Sequence, residues 1–68
     1  MTKRSLVIDG HRTSVSLEDA FWDEFAAIAR GRGVSLNALA AEIDRARQGN
    51  LSSAIRVFVL NNLRARAE

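Results

Sequence analysis

Three residues at alternate positions, Arg12, Ser14 and Ser16, are the side chains of this sequence best suited to chemistry with a partner. They interleave with Thr13, Val15 and Leu17, so an extended chain puts the polar set on one face and the more apolar set on the other. Arginine presents a rigid fork of donors, and a serine hydroxyl both donates and accepts. Carried on a two-stranded ribbon, side chains of this kind reach base edges in the major groove of duplex DNA. The other polar groups suggest less. Glu18, Asp19, Asp23 and Glu24 form an acidic cluster with no nucleophile or metal partner beside it. They read as first-turn dipole charges and a solvated helix face, turned away from DNA. His11 stands alone beside a turn and reads as an exposed polar residue. With 1 His and no Cys, neither a zinc cage nor a disulfide is available. No catalytic group, metal or cofactor is expected, and the chain does not read as an enzyme.

The elements that position these residues follow from periodicity. The alternation runs over 11–17 and predicts a strand. Upstream, the apolar run Ser5-Leu6-Val7-Ile8 meets that strand at Asp9-Gly10, a two-residue hairpin signal. Residues 4–8 are therefore either a second strand or part of an arm that carries Lys3 and Arg4. A first helix is expected over 17–32, with Ser16 as N-cap and Ser16-Leu17-Glu18-Asp19 as a capping box. Leu17, Phe21, Phe25, Ile28 and Ala29 form its apolar stripe, which Trp22 widens, and Gly33 is placed to end it. A second helix is expected over 35–47, capped by Ser35, with Leu36, Leu39, Ala40 and Ile43 on one face. A third is expected over 51–66 from a cap at Asn50 or Ser52. Its Ile55, Val57, Phe58, Val59 and Leu60 are apolar on nearly every side, which implies burial on several faces and a subunit contact.

A chain of 68 residues makes one domain. A domain of that size buries only about 60% of the surface its unfolded chain exposes, so oligomerisation is the expected staple. Hydrophobic residues at 47% and charged residues at 26% suit a globular domain and exclude a disordered one. No apolar run approaches the ~20 residues of a membrane span, so no membrane contact is expected. Asp9 interrupts the first apolar stretch, which therefore does not read as a signal peptide, and a cytoplasmic location is expected. The net charge of +2 says little, but its distribution is uneven: Leu17 to Ala29 holds four acids and no cation, while Lys3, Arg4 and Arg12 lie upstream.

A lone strand has two open edges, and pairing with the same strand of a second copy would close one of them. On these residues the sequence resembles the ribbon-helix-helix family of bacterial DNA-binding proteins, the Arc/MetJ-type repressors. His11 to Leu17 stands where the family has its ribbon, and Phe21, Phe25, Ile28 and Ala29 stand where its first helix is apolar. Gly33-Val34-Ser35-Leu36-Asn37 looks like its Gly-x-Ser turn. The wider pattern, Gly10 to Glu18, Phe21-Trp22 and Asn50 to Arg56, is similar to a subgroup of short bacterial proteins with an extra third helix. Glu18 stands where many members have proline. The resemblance implies a mostly helical fold with a short β element, an intertwined homodimer and an intersubunit antiparallel ribbon. It implies base contacts from Arg12, Ser14 and Ser16, and phosphate contacts at Ser35, Leu36 and Asn37, with Lys3 and Arg4 adding others from the arm. The apolar faces of strand and helices give an expected core and dimer interface of Val15, Leu17, Phe21, Trp22, Phe25, Ile28, Leu39, Ile43, Ile55 and Phe58. The function that the resemblance implies is sequence-specific DNA binding in transcriptional regulation, with higher oligomers through the third helix. The competing reading is an assembly module that uses the same fold without DNA.

Overall fold

The computed structural model describes residues 1–67. Two strands, β1 (Thr2–Ile8) and β2 (His11–Leu17), are followed by three helices, α1 (Asp19–Arg32), α2 (Leu36–Ala46) and α3 (Leu51–Ala67). The strands pair antiparallel in a single hairpin, in register from Thr2 opposite Leu17 to Ile8 opposite His11. Asp9 and Gly10 make the turn, both at positive φ, as a type I′ connection requires. The hairpin decides the question that the sequence leaves open between strand and arm. It also changes the reason for a ribbon: β2 finds its partner within its own chain, where the sequence assigned that partner to a second copy.

The hairpin is held because its inner face is apolar. Leu6 and Ile8 of β1 join Val15 and Leu17 of β2 in the core. Thr2 fixes the far end: its carbonyl accepts the Trp22 indole N–H at 2.8 Å, and its hydroxyl donates to the Asp19 carboxylate. The indole N–H is thus satisfied inside an otherwise apolar site. Arg4 lies on the same face with its guanidinium 5.1 Å from the centre of the Trp22 ring, so it is not part of a free arm.

Helix α1 starts later than the sequence suggests. Glu18 is its N-cap, and no side chain caps it. Ser16 cannot serve, because Leu17 is wholly buried as the last strand residue and Ser16 is still paired opposite Lys3. Burial of Leu17 outweighs a cap worth about 1 kcal/mol. The helix ends in a Schellman motif. Gly33 takes a left-handed φ of 71°, its N–H reaches the Arg30 carbonyl at 3.1 Å, and the Val34 N–H reaches the Ala29 carbonyl at 3.0 Å. In α2, Ser35 caps by accepting the Ala38 N–H at 3.0 Å. In α3, Asn50 accepts the Ser53 N–H at 2.8 Å.

All three helices contribute to one core beneath the sheet. Trp22, Phe25, Ile28, Leu39, Ile43, Ile55 and Val59 are buried there, with Phe21 and Phe58 half-buried beside them. Phe25 sits at its centre, 6.3 Å from Trp22 and 6.4 Å edge-on from Phe58, ring centre to ring centre. The buried stripe of α3 is therefore Ile55 and Val59, on a helix packed against this chain's own α1, α2 and β2, and only Val57, Leu60 and Leu63 stay exposed among its large apolar side chains. None of the described helices is long and apolar enough to cross a membrane.

Candidate nucleic-acid interface

The hairpin has one face in the core and one in solvent. Antiparallel partners directly opposite one another share a face. Lys3 pairs with Ser16, Ser5 with Ser14 and Val7 with Arg12. These six side chains form the outer surface, and all are exposed except Ser16, which is half-buried. The face carries two cations, three hydroxyls and no acid. Arg12 and Ser14 make no hydrogen bond or ion pair with the described residues, so their donors are free for a partner. The Ser16 hydroxyl is released as well, because Glu18 rather than Ser16 caps α1.

Sequence reasoning placed Lys3 and Arg4 together on an arm. The structure separates them, Lys3 outward beside Ser16 and Arg4 inward over Trp22. Ser5 and Val7 were missed altogether. The signal that finds them is the two-residue turn: once Asp9-Gly10 fixes the register, counting back from Arg12 and Ser14 reaches Val7 and Ser5.

The start of α2 lies at the outer edge of β1. The Val7 N–H donates to the Asn37 side-chain oxygen at 3.2 Å, which ties the helix to the strand. Ser35 and Asn37 are exposed there, while Leu36 is half-buried against the core. Unpaired backbone N–H groups and the positive end of the helix dipole make such a position favourable for a phosphate. Ser35, Leu36 and Asn37 are thus brought next to the ribbon, at its Val7–Arg12 end.

Three of the four acids at the start of α1 are occupied elsewhere. Glu18 accepts from the Arg56 Nε at 2.9 Å, Asp19 from Thr2, and Glu24 lies 3.9 Å from Arg66. Arg56 also donates to the Ser16 carbonyl at 3.4 Å, so it joins α3 to the junction of β2 and α1. The Glu18 backbone N–H and then the Arg56 guanidinium hold the Glu18 carboxyl below its ordinary pKa. A depressed carboxylate contributes stability above its unfolded pKa and loses it as pH falls through its folded pKa. The melting temperature of Glu18→Gln is therefore expected to lie below that of the parent at neutral pH, and the gap to close on acidification through the carboxylate range. Thermal melts at a series of pH values check this, and a gap unchanged down to the acid limit would contradict it.

Around the turn, Asp9, His11, Arg12, Asp44 and Arg47 border an open hollow. Asp44 is bound to Arg47 at 2.6 Å and Asp9 lies 3.7 Å from Arg45. Among the described residues no cluster of His, Asp or Glu is arranged to hold a metal ion.

A short antiparallel sheet followed by helices is consistent with a ribbon-helix-helix fold, to which this chain adds a strand from its own N-terminus and a third helix. The sequence matches the ribbon-helix-helix domain over residues 1–63, and the chain belongs to that family. The family is a DNA-binding fold. Comparison with curated proteins and with solved structures returns no match.

Proposed function

We propose that this protein is a homodimeric, sequence-specific DNA-binding regulator of transcription that inserts its β surface into the major groove. One observation carries the reading: the ribbon's exposed face holds Arg12, Ser14, Ser16 and Lys3 and no acid, while every helix packs on the opposite face. Arg12 reads a guanine through its O6 and N7, Ser14 and Ser16 add adaptable hydrogen bonds, and the start of α2 clamps a phosphate through Ser35, Leu36 and Asn37. The open edge of the sheet supports dimerisation. The sheet order leaves β2 with one strand partner and a second, unpaired edge. A two-fold axis through that edge would repeat the reading residues on both halves of a palindromic site.

Phosphate contacts dominate such binding, so affinity for duplex DNA should fall linearly in log–log terms with salt, by a slope of about 0.9 per neutralised phosphate. Fluorescence anisotropy of a labelled duplex across a salt series measures it. A folded protein that shows no salt-sensitive binding would favour the second reading, an assembly module without DNA. That reading is supported by Val57 and Leu60, 55% and 49% exposed on the outer side of α3. The same two residues are where a DNA-bound dimer would associate further.

A further inference from the structure

The two strands of the hairpin have unequal positions relative to any two-fold axis at the β2 edge, and this divides their labour. The outer edge of β1 is already engaged, since the Val7 N–H is bound to Asn37 of α2. In an antiparallel pair, backbone groups point alternately to the partner and away. The Val7 N–H points away from β2, and so do the edge groups of Ser5 and Lys3 on β1. Opposite them, the groups of Arg12, Ser14 and Ser16 point away from β1, and the Ser16 carbonyl does so towards Arg56. Each edge thus carries one such bond, and the proposed reading residues Arg12 and Ser14, both on β2, are what place the axis there: with a second copy added at β2, the sheet becomes β1-β2-β2-β1 across the axis.

Strands in a sheet lie about 4.8 Å apart, which sets each β2 about 2.4 Å from the axis and each β1 about 7 Å from it. The major groove is about 12 Å wide, so its walls stand about 6 Å from the same axis. The two β2 strands fit between the walls. The two β1 strands do not, and they lie over the phosphates.

We infer that β1 is a phosphate-binding rail, in which Lys3 and Ser5 contact the DNA backbone on either side of the groove that Arg12 and Ser14 read. The inference rests on the proposed DNA-binding function and adds a division of roles between the strands. Lys3 supplies the charge and the Ser5 hydroxyl a donor. Val7, at the end nearest α2, leaves the adjoining helix terminus to make the next contact. Arg4 is the internal control: it is one residue from Lys3 with the same charge, but it is held over Trp22 on the opposite face.

The test compares Lys3→Gln, Arg4→Gln, Ser5→Ala and Arg12→Ala, each shown to be folded by circular dichroism, with the parent dimer on duplexes selected by the parent. Lys3→Gln should weaken binding to all duplexes alike and lower the salt slope by about 2 per dimer. Ser5→Ala should weaken binding without changing base preference, and Arg4→Gln should leave the slope nearly unchanged. Arg12→Ala should change the base preference. Equal effects of Lys3→Gln and Arg4→Gln would overturn the rail, since only a mobile arm treats the two cations alike. A changed base preference in Ser5→Ala would also overturn it, by putting β1 inside the groove. If Arg12→Ala alters selectivity while Lys3→Gln and Ser5→Ala do nothing, the rail fails and DNA reading stands. If the parent binds no duplex, both fail together.

Discussion

Phe25→Ala should destabilise the protein by about 3–5 kcal/mol, the range for emptying a buried aromatic site. Phe25 is completely buried and touches aromatic rings on both sides, Trp22 from its own helix and Phe58 from α3. Its removal therefore opens a cavity where α1 and α3 meet under the sheet, and the flanking rings cannot collapse into it without pulling Trp22 from the Thr2 carbonyl. A core of this size rarely supplies more than about 3–5 kcal/mol in total, so the variant should be largely unfolded at 25 °C. Chemical denaturation followed by circular dichroism reads the loss. A change under about 1 kcal/mol would mean that Phe25 does not occupy the core. Phe58→Ala, at a half-buried ring, should cost less.

The second large effect concerns binding. Arg12→Ala should leave the fold intact, because Arg12 is exposed and bonded to nothing within the described chain. It should nevertheless cost about 1–3 kcal/mol per half-site if the guanidinium bridges guanine O6 and N7. Each 1.4 kcal/mol is about tenfold in affinity, and the two half-sites of a dimer compound the loss. Titration of a specific duplex with parent and variant gives the ratio directly. Lysine at this position should recover part of the charge but not the bidentate geometry, so Arg12→Lys should fall between the two. Unchanged affinity and selectivity in Arg12→Ala would remove the ribbon from the reading surface.

Much of the fold was legible because the apolar periods are clean. The alternation over Arg12 to Leu17 and the stripe of Phe21, Phe25 and Ile28 each fit one element only. Gly33 and Ser35 mark the break between α1 and α2 unambiguously, since one must be left-handed and the other caps. Leu17 was harder. It satisfies both the end of a strand face and the first position of a helical stripe, and only the packed core decides in favour of the strand. The role of β1 was hidden by Val7, whose apolar side chain on the solvent face turns an alternating strand into what looks like a short continuous run. Its status rests on long-range contacts: Thr2 is held by Trp22 and Asp19, and Leu6 and Ile8 complete a core built mostly by residues far along the chain.

The same contacts explain why the candidate site was only half visible. Arg12, Ser14 and Ser16 follow from local alternation, whereas the separation of Lys3 from Arg4 depends on which face of β1 meets Trp22. The third helix shows a related limit. Its apolar surround suggested a subunit contact, yet Ile55 and Val59 are used within the chain, which leaves Val57, Leu60 and Leu63 as its exposed remainder. The apolar pattern shows that a helix is covered without showing by what.

The most direct test of DNA reading by the ribbon is selection of bound duplexes from a random pool, with the parent and Arg12→Ala run side by side. The expected result is enrichment of a two-fold symmetric motif by the parent, with the preference at one base pair of each half-site lost in the variant. A parent protein shown to be folded that enriches no motif would contradict the reading.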